Sequence, residues 1–155
     1  MTKHLAGGLF AAAMGLLAAC TTSSMEVRLE PPTLQVENLR IDGDVVRFRL
    51  LVHNRNDHEL LLESASAAMR IDGAELFNAA WELHLDISPR GRELVRLDAA
   101  AMPAGVEALA GLGGSSRDGI EFELSSEIVI EGQRDAKTVQ EGFLYPVPGQ
   151  PGHFR

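Results

Sequence analysis

Six groups of residues in this 155-residue chain have the types that chemistry needs. Cys20 is the only cysteine, so it forms no internal disulfide and its thiol is available for covalent modification. His53, Asn54, Asn56 and His58 fall within six residues and invite a metal reading. Two imidazoles five apart across a turn lack the helical i,i+4 spacing of a zinc pair, and no second thiol helps them. Asparagine side chains bond nearby backbone and tolerate left-handed conformations, so Asn54 and Asn56 read as a structural turn fixing the exit of a strand. The glycine-rich run at 111–116 lacks the Gly-Lys-Ser/Thr ending of a phosphate loop and follows a helical pattern instead of preceding one, so it reads as a linker. Ser125 and Ser126 have no His/Asp arrangement nearby to make a triad. The acids at 118–131 alternate so regularly that they read as the solvated face of a strand, where charge also opposes edge-to-edge pairing. These patterns offer no catalytic residue, no metal site and no cofactor. Trp81, the sole tryptophan, is a core residue or, if exposed, an anchor for a partner or ligand.

The segment before Cys20 gives that residue its context. A short basic start, Met1-Thr2-Lys3-His4, leads into an apolar Ala/Leu/Gly-rich run at 5–19, which ends Leu17-Ala18-Ala19-Cys20. A basic start, a short apolar stretch and small residues before a cut site make a secretory signal, not a spanning helix. The Leu-Ala-Ala-Cys ending resembles the lipobox of bacterial lipoproteins. That resemblance implies cleavage before Cys20, acylation of its sulfur and new amino group, and membrane attachment. One acyl chain gives only marginal binding at about 0.8 kcal/mol per buried CH₂, whereas several anchor stably. Thr21 stands where an Asp would imply inner-membrane retention, so the resemblance implies an outer-membrane lipoprotein facing the periplasm.

Signal removal takes Lys3 and leaves 13 basic against 22 acidic side chains, a net charge of −9. No run of basic residues interrupts that balance, and the expectation is a soluble acidic surface with no nucleic-acid partner. The expected organisation is a signal at 1–19, an acylated, polar and proline-containing tether at 20–32, one domain at 33–145, and a Pro/Gly-rich tail at 146–155 extending away as a frayed end.

Period-two alternation dominates the domain. Val46, Phe48, Leu50 and Val52 oppose Arg47, Arg49 and His53; Leu83, Leu85 and Ile87 oppose Glu82, His84 and Asp86. The longest run sets Ile120, Phe122, Leu124, Ile128 and Ile130 against four glutamates, and a weaker one carries Ala67, Met69 and Ile71. Further strands are expected at 34–41, 93–97 and 137–145. Asp42-Gly43-Asp44 and Asp72-Gly73 are hairpin signals. Pro103 can start a helix carrying Val106, Leu109 and Leu112, with Gly113-Gly114 to end it, over an opening between sheets. The reading is an all-β fold with one short helix: a fibronectin-III/immunoglobulin-like antiparallel β-sandwich of about seven strands. Alternation is weakest at 76–81.

Pro32-Thr33-Leu34-Gln35-Val36, the strand at 46–52, Asn54-Arg55-Asn56, and Met69 through Leu76 with its Ile71-Asp72-Gly73 step resemble the late embryogenesis abundant type 2 family, also called the water stress and hypersensitive response (WHy) domain. The family's Asn-Pro-Asn has Arg55 in place of its proline here, which removes the residue that would pre-set φ. The resemblance implies a small two-sheet sandwich, a link to desiccation and water stress, and no enzymatic activity. Two functions follow: a membrane-anchored envelope module that binds or protects, or a periplasmic carrier holding an apolar ligand between the sheets. A filled core of Val46, Phe48, Leu85, Phe122 and Ile128 would sink the second.

Overall fold

The computed structural model describes residues 30–114 and 119–155; Cys20, the signal and nearly all of the tether lie outside them. Two four-stranded antiparallel sheets face each other. The first has the order β5-β2-β1-β8, from β1 (Thr33–Asp42), β2 (Val45–His53), β5 (Arg92–Ala100) and β8 (His153–Phe154). The second has the order β4-β3-β6-β7, from β3 (Leu60–Ile71), β4 (Ala74–Ile87), β6 (Ile120–Ile130) and β7 (Ala136–Leu144). This is the expected antiparallel sandwich, with β8 as an eighth strand.

Local chemistry accounts for the turns. Asp72 and Gly73 link β3 to β4 with φ of 47° and 82°, the two positive angles a tight hairpin loop of this length requires. Gly43, with φ of 64°, supplies the positive angle between β1 and β2. The weak alternation at 76–81 has a physical cause: the β3–β4 register slips between Met69/Phe77 and Arg70/Glu75, so Leu76 is an extra residue in β4. Both Leu76 and Phe77 are thereby turned into the interior, where each is fully buried.

Leu76 supports the helix α1 (Pro103–Ala110). Met102 N–H donates to Leu76 O at 2.8 Å, and Pro103 opens the helix. The chain then tightens into a 3₁₀ turn at Gly111–Gly114, one turn before the expected glycine stop. Gly105 makes the close approach possible, since a Cβ there would lie 2.4 Å from Leu76 Cα. Leu109 and Leu112 are buried at this end of the sandwich.

Between the sheets the interior is filled. Val46, Phe48, Phe122 and Ile128 are buried, and Leu85 is partly buried against the cluster that holds Ile128. The rings of Phe48 and Phe77 stack across the sheets at 4.8 Å, and Trp81 meets both edge-on at 5.6 and 6.3 Å. The residues whose packing argues against an apolar ligand between the sheets are thus turned into the interior, which favours the other of the two readings.

The last ten residues do not extend away. Tyr145 and Arg155 exchange backbone hydrogen bonds at 2.8 and 3.0 Å, Val147 N–H donates to His153 O, and Ile41 N–H donates to Gly152 O. The segment is a small hook that seats Phe154 in the core and covers the free edge of β1. Its prolines and glycines shape the bend, and Gly149 and Gly152 both sit at φ of 75°. Composition suggested a loose end because turn residues punctuate hooks and frayed tails alike.

Gly105→Ala should destabilise the domain by about 2 kcal/mol, because the new methyl must push α1 off β4. Urea unfolding followed by circular dichroism reads this directly; an unchanged midpoint would show that the helix seat yields freely.

Candidate functional site

Two connections cross between the sheets at the end opposite α1: β2 to β3 through residues 54–59, and β4 to β5 through residues 88–91. Asn54 stands where they meet and is fully buried. Its Nδ2 donates to His58 O at 2.7 Å in its own loop, and to Ile87 O and Ser88 O at 3.1 Å in the neighbouring one. Its Oδ1 accepts from Asn56 N–H at 2.9 Å and Asn56 Nδ2 at 3.1 Å. Two backbone bonds complete the join, Asn54 N–H to Gly91 O and Arg90 N–H to Asn56 O. A buried carboxamide surrounded by carbonyls is stable only when its donors are used, and here they are.

Asn56 extends the clamp to a third segment. Its Oδ1 accepts from Glu30 N–H at 2.7 Å and its Nδ2 donates to Glu30 O at 2.8 Å, a reciprocal pair that copies one rung of a β-ladder. Arg55, standing in the proline position of the resembling motif, places its Nε 3.3 Å from a Glu30 carboxylate oxygen. The chain therefore enters the domain at this end.

Asp57 and Arg90 pair across the two crossings at 2.7 Å on the surface. The Arg90 hydrogen bond and charge hold the Asp57 carboxyl below its usual value of 3.8 and raise Arg90 in turn. A depressed carboxyl stabilises the folded state fully above 3.8 and loses that contribution as pH falls through the folded value. Both groups are fully exposed, so the effect is small.

The remaining sequence candidates are dispersed. His58 takes part through its backbone carbonyl, and no group of three or more metal-ligating side chains forms among the described residues. Ser126 Oγ lies 2.7 Å from Thr138 Oγ1 as a cross-strand pair, while Ser125 faces outward. Ser115 and Ser116 lie outside the described residues. Trp81 is half-buried, and its Nε1 donates to Asp98 O at 2.8 Å, so the indole joins the edges β4 and β5. Cys20 lies outside the described residues.

One feature escaped the sequence. At the helix end, a groove of about 730 Å³ lies between α1 and the C-terminal hook, lined by Ile41, Val106, Leu109, Leu112, Val147 and Phe154 among others. The sequence placed Val106, Leu109 and Leu112 on a helix over an opening; what it missed is the hook that brings Val147 and Phe154 to face them.

No protein-family model matches the chain, and no curated protein matches it. Among solved structures it is similar to the solution structure of AT1g01470 from Arabidopsis thaliana, at 12% identity and a TM-score of 0.52, over 82% of this chain and 93% of that one. A protein from Archaeoglobus fulgidus is similar at 10% identity and a TM-score of 0.49, over 77% of this chain and 98% of that one. The Arabidopsis protein shares the fold.

Asn54→Ala should cost about 3 kcal/mol of stability, since it leaves buried carbonyls without donors. Asn56→Ala should cost about 1–2 kcal/mol and speed hydrogen exchange at the Glu30 amide. Asp57→Asn should leave the neutral-pH melting temperature nearly unchanged and flatten only the acid limb. Thermal melts across pH check all three; equal losses from the two asparagine variants would contradict the central place given to Asn54.

Proposed function

We propose that this protein is a non-enzymatic lipoprotein of the cell envelope whose WHy-type sandwich is held at the membrane by acylated Cys20 and serves a binding or protective role in desiccation or envelope stress. The observation that carries this reading is the use made of Asn54 and Asn56. The pair that supports the family resemblance is consumed in backbone hydrogen bonds, as expected of a motif that specifies a fold and not a reaction. The fold shared with AT1g01470 agrees with it. Among the described residues, no helix is long and apolar enough to cross a membrane.

On this reading the anchor and the clamp act together. Ten residues separate Cys20 from Glu30, a span of at most about 35 Å when fully extended. Because Asn56 pins Glu30, the clamp end would lie toward the bilayer and the helix end away from it. The two broad sheet faces would then stand out from the membrane plane, open to envelope components.

Cys20→Ser should abolish metabolic labelling by a clickable palmitate and move the protein from the membrane to the soluble fraction. Persistent labelling would overturn the anchor. Desiccation survival of cells carrying Cys20→Ser, compared with wild type, tests the protective role; equal survival would remove the need for membrane attachment.

A further inference from the structure

The charges of this chain are sorted by sheet. On the outward face of the first sheet, His153, Arg40, Arg47 and Asp98 stand opposite one another in one cross-strand row. The next row is Asn38, Arg49 and Arg96. On the second sheet, Glu75, Glu82, Glu121, Glu123, Glu127 and Glu141 occupy outward positions against Arg70 and Lys137. A chain of net charge −8 thus carries a basic face. The sequence shows no basic run because each strand contributes only alternate residues.

This basic face contains unrelieved repulsion. Arg40 opposes Arg47 and Arg49 opposes Arg96, an arrangement that destabilises a sheet when nothing neutralises it. The first pair has carboxylates: Asp42 lies 2.7 Å from Arg47 and 3.8 Å from Arg40, and Asp98 lies 3.6 Å from Arg47. Arg49 and Arg96 have no ion pair among the described residues, and Arg49 Nε is buried without a hydrogen-bond acceptor. Both line a groove of about 470 Å³, where the C-terminal hook adds Arg155 and His153. Five guanidinium side chains face two carboxylates there, Glu37 and Asp98.

The geometry points to a binding site for a phosphate-class anion in this groove, held between Arg49 and Arg96, with Arg155 contributing from the hook. A phosphate group is compact, carries up to two charges and offers acceptors to more than one guanidinium fork at once, which a single carboxylate does less well. It would satisfy the Arg49 donor and turn a repulsive cross-strand pair into a clamp. The phosphate can belong to a soluble phosphoester or to a lipid headgroup.

Calorimetric titration of the full-length protein with inorganic phosphate should show saturable binding. R49Q/R96Q should weaken it by about tenfold or more, while R70Q, which removes a like charge from the opposite sheet, should leave it intact. Without phosphate, R49Q/R96Q should melt no lower than wild type, and it should lose the rise in melting temperature that phosphate gives. Co-sedimentation with phosphatidylcholine vesicles, with and without phosphatidic acid, distinguishes the sources; Cys20→Ser is included so that the anchor contributes nothing. Arg49/Arg96-dependent binding to phosphatidic acid identifies a lipid phosphate, and binding to inorganic phosphate alone identifies a soluble one; either supports the site. Equal weakening by R70Q, a lowered melting temperature in R49Q/R96Q, or no saturable binding to either probe would overturn it. So would anion-independent self-association lost in R49Q/R96Q, since the basic face would then be an interface for the acidic face of a second copy.

Discussion

The Asn54 carboxamide is the interaction on which the rest of the structure depends. A two-sheet sandwich must pass its chain from one sheet to the other, and each passage leaves backbone carbonyls without ladder partners. Here two passages run side by side, and one buried side chain serves both through His58, Ile87 and Ser88. Asn56 repeats the device on Glu30, so the incoming chain is tied to the same point. No aliphatic residue could do this, and an aspartate would set charge against carbonyl oxygens. Asparagine offers donors and an acceptor without charge.

The opposite end is closed by packing instead. The extra residue at Leu76 turns two successive side chains inward, Gly105 lets α1 settle directly on the Leu76 backbone, and the C-terminal hook brings Phe154 into the core. The two ends therefore differ in kind: one is a hydrogen-bonded clamp, the other an apolar cap bordered by a groove. Between them, Phe48, Phe77 and Trp81 bind the sheets through ring contacts, and the indole N–H closes the seam at β5. The outward faces of both sheets carry the charged side chains. The bulge in β1 at Glu37 and the hook at β8 give the basic face its relief, since a flat sheet would offer no groove.

Much of the fold was legible along the chain. Strict alternation placed β2, β6 and the second half of β4 within a residue or two, and Asp-Gly pairs marked both tight hairpins, because side-chain period and positive φ are local properties. Asn54 and Asn56 were legible as a turn fixing a strand exit, since few other roles suit two asparagines there. Their partners were not: Ile87 and Ser88 lie more than thirty residues away, and no pattern in sequence joins them. The bulge at Leu76 was visible only as lost alternation. Residues 146–155 misled because proline and glycine specify bends without saying whether a bend packs.

The sequence by itself determined the succession of the main strands, the inward and outward side of those that alternate strictly, the start of the helix and the net acidity. Each of these depends on neighbours within a few residues or on a simple sum. Only the tertiary structure decided where the acidity lies. Arg40, Arg47, Arg49 and Arg96 are spread over 57 positions of sequence, each flanked by apolar residues, and they meet because β1, β2 and β5 pair in one particular register. A shift of one residue would turn them toward the core, so burial of Leu39, Phe48 and Leu97 on the inner face is what fixes the basic face on the outer one.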